Sequence, residues 1–173
     1  MILRNRSDLL TLSFRRATPN DLSRIVAIYN SAVPSHDITD DEMPITVDSR
    51  QEWLNHFNDR FPIWVVISDS TIIGWCSLSQ FYPHQAYQFS AEISIYLAPD
   101  TQGRGYGKQI LNFIDQQITD NLDIKTVIAY VYENNLPSQK LFQKCGYQQC
   151  GVLPQISIID GKLRTLKIFV KHF

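Results

Sequence analysis

Cysteines, long apolar runs and blocks of like charge are all scarce in this chain, and each scarcity closes off a class of protein. Cys76, Cys145 and Cys150 are odd in number and stand in apolar or helical contexts. That excludes a disulfide framework and fits a reduced, cytoplasmic chain with idle thiols. His36, His56, His84 and His172 show no metal-ligand spacing, so no metal is expected. No run reaches the ~18 apolar residues needed to cross a bilayer. Arg4 breaks the apolar start of the chain, so no signal peptide is expected either. The net charge is -1, with no basic face for nucleic acid. At 173 residues and 44% hydrophobic content, the chain is sized for one substantial core, read as a single domain over 1–173.

Glycine is also sparse, seven in all, yet three fall within five positions: Gly103, Gly105 and Gly107. Before them, Ile93, Ile95 and Leu97 alternate with Glu92, Ser94 and Tyr96, the period of a strand. After them, Ile110, Leu111, Ile114 and Ile118 share one helical face. A side-chain-free turn lets a large anion approach the backbone N–H groups at a helix start, where the helix dipole favours negative charge. Arg104 and Lys108 add positive charge there. The turn suits a pyrophosphate, but its spacing matches neither G-x-G-x-x-G nor G-x-x-x-x-G-K-[ST].

It does match Q-x-x-G-x-G from Gln102 onward, and so resembles the coenzyme A pyrophosphate loop of the GNAT superfamily of N-acetyltransferases. A second match lies downstream. Asn135-Leu-Pro-Ser138-Gln-Lys-Leu141-Phe142-Gln-Lys-Cys-Gly146-Tyr147 is similar to that family's N-x-x-[AS]-x-x-[LF]-[YH]-x-x-x-G-[FY] helix, and a strand over Ile124–Val131 separates the two. The segment Ala86-Tyr87-Gln-Phe-Ser-Ala-Glu92-Ile-Ser-Ile-Tyr96 looks like A/G-[YF]-x-x-x-x-E-x-x-x-Y of the phosphinothricin and methionine-sulfoximine acetyltransferase branch.

The rest of the chain alternates strands and helices without repeats. A first strand is expected over Leu10–Arg16. Thr18, Pro19 and Asp21 then open a helix with Leu22, Ile25, Val26 and Tyr29 on its apolar face. Ser49 and Glu52 read as a second capping box before Trp53, Leu54 and Phe57. Between the helices, residues 34–47 lack periodicity and read as a loop or broken helix, of a length that often faces substrate. Ile63–Ser68 and Ile72–Gln80 form a hairpin around Asp69-Ser70. Ile156–Ile159 and Leu163–Val170 form another around Asp160-Gly161.

The resemblance implies an α/β (α+β) fold, a mixed, twisted β-sheet with helices on both faces, splayed between the Glu92–Leu97 and Ile124–Val131 strands. It implies acetyl-CoA as cosubstrate, held by Ile95, Tyr96 and Leu97, by the turn Gln102, Gly103, Arg104, Gly105, Tyr106, Gly107 and Lys108, and by Asn135 and Ser138. Pairing of the cofactor's amide-bearing arm with a free strand edge uses the hydrogen bonding of strand addition.

Acetyl transfer to an amine of pKa near 10 calls for a positioned base at neutral pH. Spacing alone leaves Glu92 open between a solvent-facing or lysine-paired carboxylate and that base. The resemblance implies the base, acting through water. Asn135 reads as a helix N-cap, and the resemblance adds a contact to the pantetheine arm. Trp53, Trp64 and Trp75 read as core rather than site.

Two departures stand out. Phe142 occupies the position where many superfamily members carry a tyrosine acid, so the leaving thiolate, with pKa near 8.5, departs unprotonated or is protonated elsewhere. At Phe81-Tyr-Pro-His84 the branch usually carries a tryptophan and a basic residue. Here His84 is the one cationic partner for an acceptor carboxylate, while Phe81 and Tyr82 also read as core and rim. The acceptor site is expected at His84, Gln85, Ala86 and Tyr87. The expectation is a homodimeric acetyltransferase of a small primary amine. The alternatives are an enzyme acting on a protein N-terminus or lysine, and a non-catalytic acetyl-CoA-binding module.

Overall fold

Seven strands form one sheet: Ser13–Arg16 (β1), Ile63–Ser68 (β2), Thr71–Gln80 (β3), Ser90–Leu97 (β4), Thr126–Tyr132 (β5), Gln148–Ile159 (β6) and Lys162–His172 (β7). Their order is β1-β2-β3-β4-β5-β7-β6. The structure, a computed structural model, describes residues 12–173. Residues 10 and 11 of the first expected strand, and the charged N-terminus, lie outside the described residues. All neighbouring pairs are antiparallel except β4–β5, which is parallel. The sheet is mixed, as the resemblance implies.

Four α-helices cover it: Leu22–Asn30 (α1), Gln51–Asn55 (α2), Tyr106–Asn121 (α3) and Leu136–Lys144 (α4). None is long and apolar enough to cross a membrane. Two apolar clusters define the layers. Ile110, Leu111 and Ile114 of α3 and Phe142 of α4 pack on Ile93, Val127 and Phe169. On the other face, Leu22, Ile25, Val26 and Ile28 of α1 and Leu54 of α2 pack on Val65 and Trp75. The three α3 residues are fully buried, and each contributes about 1.5–3 kcal/mol relative to exposure.

Asp21 organises the entry to α1. Its carboxylate accepts two 2.7 Å hydrogen bonds from the Arg15 guanidinium, and also bonds from the Thr18 N–H (2.8 Å) and hydroxyl (2.9 Å). The bidentate arginine, aided by Thr18, holds the Asp21 carboxyl down at about 2.

Three expectations need correction. Ser49 does not cap a helix. It sits inside a one-turn 3-10 segment, Asp48–Arg50, where its hydroxyl donates to the Thr46 carbonyl at 2.7 Å. That local bond competes with capping, so α2 starts at Gln51 and ends at Asn55, before Phe57. The sixth strand starts at Gln148 rather than Ile156. Register shifts at Gln149/Gly151 and Leu153/Ser157 absorb the irregular residues that hide its period, and Pro154 is tolerated because β6 is an edge strand. Both hairpin turns match expectation, with positive φ at Asp69 and Ser70 and at Asp160 and Gly161.

Candidate active site

Strands β4 and β5 pair at only three positions: Ser90 with Thr126, Ala91 with Val127, and Glu92 with Ile128. Beyond Glu92 they part. β3 still pairs β4 as far as Leu97, so residues 93–97 of β4 have one paired edge and one edge free towards β5. The parting is the expected splay. Alternation then sorts the side chains. Ile93, Ile95 and Leu97 point into the cluster beneath α3 and α4. Glu92, Ser94 and Tyr96 face the α1/α2 layer, and the Glu92–Ile128 register places Tyr130 and Tyr132 on that same face.

Glu92 stands at the fork. Its residue is half-buried, and its carboxylate has no hydrogen-bond or ion-pair partner among the described residues. Burial pushes its pKa up, and the nearby Asp40 carboxylate pushes it further the same way. Tyr130 lies within its field, and its phenol pKa is raised by burial and then by Glu92. A carboxylate tuned upward is a better base for an ammonium.

The loop between α1 and α2 lies over this fork and is tied on both sides. Towards α1 and α2, Tyr29 hydrogen-bonds Thr39 and Asp41, Arg50 bonds Asp41 at 3.2 Å, and the Asn30 side chain pairs both backbone groups of Ile45 at 2.9 Å. Towards β5–β7, Tyr132 donates to Asp40, Asn134 and Arg164 hold Asp37 at 3.1 Å, and Glu42 accepts the Asp160 N–H at 2.9 Å. The aperiodic segment of the sequence is therefore a strap that delivers Asp40 next to Glu92.

At the far end of β4, the chain turns through Pro99–Thr101 into α3. Gln102 Nε2 donates to the Leu97 carbonyl at 3.2 Å and Thr101 Oγ1 to the Ala98 carbonyl at 2.7 Å, which pins the turn from beneath. Gly103 (φ +74°) and Gly105 (φ +82°) are left-handed, and a Cβ at either would meet nothing within 4 Å. The start of α3 carries no side-chain cap, so its first N–H groups are available to an anion. Arg104 and Lys108 are exposed beside them. These residues fit a pyrophosphate. Gly107 is glycine for another reason: its Cβ would lie 2.7 Å from Leu141 Cδ2, so it permits close packing of α3 on α4. Tyr106 buries its ring in the core, leaving only its backbone at the turn.

Of the remaining predicted residues, Asn135 caps α4 by accepting the Ser138 N–H at 3.2 Å. Phe142 is buried against Tyr147 and Phe169. His84, Gln85, Ala86 and Tyr87 form an exposed 3-10 turn just before β4. His84 Nδ1 accepts the Ala86 N–H at 3.2 Å, and the Tyr87 ring packs on Phe81, Tyr82 and His84. None of these four lines the cavity on the Glu92 face. That cavity, of about 180 Å3, is lined by Ile25, Val26, Tyr29, Ile45, Arg50, Trp53, Trp75, Ser94 and Tyr96. Sequence reasoning missed Asp40, Arg50 and Tyr132. The only signal for Asp40 was its place in a long acidic loop. Among the described residues, no group of three His, Cys, Asp or Glu side chains is placed to hold a metal.

Strand β4 thus carries a free edge and a half-buried carboxylate at one end and leads into a glycine turn that fits a pyrophosphate at the other; with the family match and the named relatives that follow, the chain is an acetyl-CoA-dependent N-acetyltransferase. Residues 11–148 match the family described as Acetyltransferase (GNAT) domain, and the chain belongs to that family. It is 36% identical over 158 residues to a Bacillus subtilis protein provisionally named phosphinothricin acetyltransferase YwnH, covering 91% of this chain and 96% of that one. It is 29% identical over 157 residues to the L-methionine sulfoximine/L-methionine sulfone acetyltransferase of Pseudomonas aeruginosa, covering 88% and 90%. Among solved structures, the Sinorhizobium meliloti phosphinothricin acetyltransferase in complex with acetyl-CoA superposes with a TM-score of 0.85 at 24% identity, covering 94% and 89%.

Proposed function

We propose that the protein moves an acetyl group from acetyl-CoA to the primary amine of a small molecule, an amino-acid analogue of the phosphinothricin or methionine sulfoximine kind. The observation that carries this reading is the partnerless, half-buried Glu92 at the β4–β5 fork. The substrate names of the relatives support the acceptor class, and the acetyl-CoA in the S. meliloti complex supports the donor.

Bound acetyl-CoA supplies an activated thioester carbonyl. Gly103, Gly105 and the uncapped start of α3 bind its pyrophosphate, with Arg104 and Lys108 alongside. The free edge at Ile95, Tyr96 and Leu97 pairs its pantetheine arm, and Asn135 and Ser138 flank it. Glu92 takes a proton from the ammonium through a water. The amine nitrogen then bonds to the carbonyl carbon as the carbon–sulfur bond breaks and the electron pair leaves on sulfur, and the proton still in excess on nitrogen passes through solvent to the departing thiolate. Gln85, Ala86 and Tyr87 border the acceptor, and His84 Nε2 faces its carboxylate. The enzyme works in the cytoplasm as a homodimer.

A thiol-release assay over a panel of amines tests the reading. Release with amino-acid analogues is expected. His84→Ala should raise KM for carboxylate-bearing amines and spare neutral ones. Preference for peptide amines over every small amine would overturn the acceptor class, and no release with any amine would leave a binding module.

A further inference from the structure

The cavity on the α1/α2 face holds two features that packing alone does not explain. Trp75 is 3% exposed, and its indole N–H has no hydrogen-bond partner among the described residues. A buried donor left unpaired is costly and calls for an acceptor. Arg50 lines the same cavity, stacked over Tyr29 and Trp53 with its guanidinium 5.5 and 5.8 Å from their ring centres. Only its Nη2 is bonded, to Asp41, which leaves further donors of the fork without partners among the described residues. Trp75 is fixed in turn by stacking on Tyr96 at 4.6 Å. The walls are aromatic and the unpaired groups are donors, a combination that selects an apolar stem ending in oxygen.

Register sets the reach. Ser94, which lines the cavity, is the next residue after Glu92 on that face of β4, roughly 6–7 Å along the strand. On β3 the partners of Glu92 and Ser94 are Ser79 and Ser77, so only small side chains floor the path between them. We propose that this cavity is the acceptor's side-chain subsite, and that Trp75 Nε1 and Arg50 bind an oxo group lying four or five bonds from the amine held at Glu92. The ligand class is an amino acid whose side chain ends in a tetrahedral oxo centre, such as a sulfone, sulfoximine or phosphinate. A cavity of about 180 Å3 suits that side chain and is well below the roughly 300–1,000 Å3 of drug-sized sites. Carboxylate and side chain then leave Glu92 in opposite directions, towards His84 and towards Arg50.

The inference rests on the acceptor reading above, and its test separates the two. The probes are methionine sulfone and norleucine, alike in length and different in oxygen. Trp75→Phe keeps a ring and removes the donor; Arg50→Lys keeps the charge and removes the fork. In each folded variant the kcat/KM ratio of sulfone to norleucine should fall about three- to tenfold. Titrating methionine sulfone against wild-type tryptophan fluorescence reads the cavity without turnover, because Trp53 and Trp75 wall it. Saturable quenching that weakens in Arg50→Lys supports the subsite even if no small amine is acetylated. An unchanged ratio in both variants, or no quenching by the sulfone, overturns it.

Discussion

Replacing Gly105 with alanine perturbs one backbone angle and nothing else. Its φ is +82°, and the added Cβ meets no atom within 4 Å, so no neighbour is displaced. The whole cost is that of a left-handed L-residue, about 1–2 kcal/mol. The variant turn escapes that strain by relaxing, which carries the first N–H groups of α3 out of convergence. In the relaxed case only a fraction of molecules presents the binding turn, and the apparent dissociation constant of CoA rises by the inverse of that fraction. One to two kcal/mol corresponds to about five- to thirtyfold. Isothermal titration of CoA, with melting followed by circular dichroism, measures both quantities. Gly107→Ala is the contrast: its Cβ falls 2.7 Å from Leu141 Cδ2, so it should lower the melting temperature by loosening α3 from α4. A folded Gly105→Ala protein with unchanged CoA affinity would refute the assignment of this turn to the pyrophosphate.

Three further outcomes follow from single contacts. Asp21→Asn should lose about 2 kcal/mol, because the carboxyl falls from 3.8 to about 2 on folding. A melting-temperature drop of roughly 4–8 °C is expected. Since the folded pKa is the lower one, that stabilisation is present above the unfolded pKa of about 3.9 and is lost as pH falls through about 2, so wild type and variant should converge in acid melts. Asp40→Asn removes the like charge that raises Glu92, so the acid limb of the kcat profile should move to lower pH; an unmoved limb excludes Asp40 from the site. Ile156, Ile158 and Leu163 are exposed on the terminal hairpin; the proposed dimer predicts that wild type sediments as a dimer and Ile158→Asp as a monomer, and a monomeric wild type contradicts it.

The strand–turn–helix at residues 92–118 was legible because three independent periods agree there: alternation in β4, glycine spacing in the turn and the 3.6-residue face of α3. The two hairpins were legible from Asp69-Ser70 and Asp160-Gly161. The start of β6 was not, because two register shifts erase a period of two. The cleft roof was not, because Tyr132 and Asp40 lie 92 residues apart and no local pattern encodes a contact between a loop and a distant strand. The same limit hid the cavity that Arg50 and Trp75 line, since its walls come from α1, α2, β3 and β4. Glu92 itself was visible as a residue, but its raised pKa depends on burial and on the strap that brings Asp40 close.

The account stands most directly on Glu92→Gln. Glutamine keeps the shape and removes the base, so kcat at neutral pH should fall about 10²–10⁴-fold while CoA affinity stays unchanged. The deficit should narrow as pH rises and free amine becomes abundant. A Gln variant with the wild-type rate at neutral pH would contradict the assignment of Glu92 as the base.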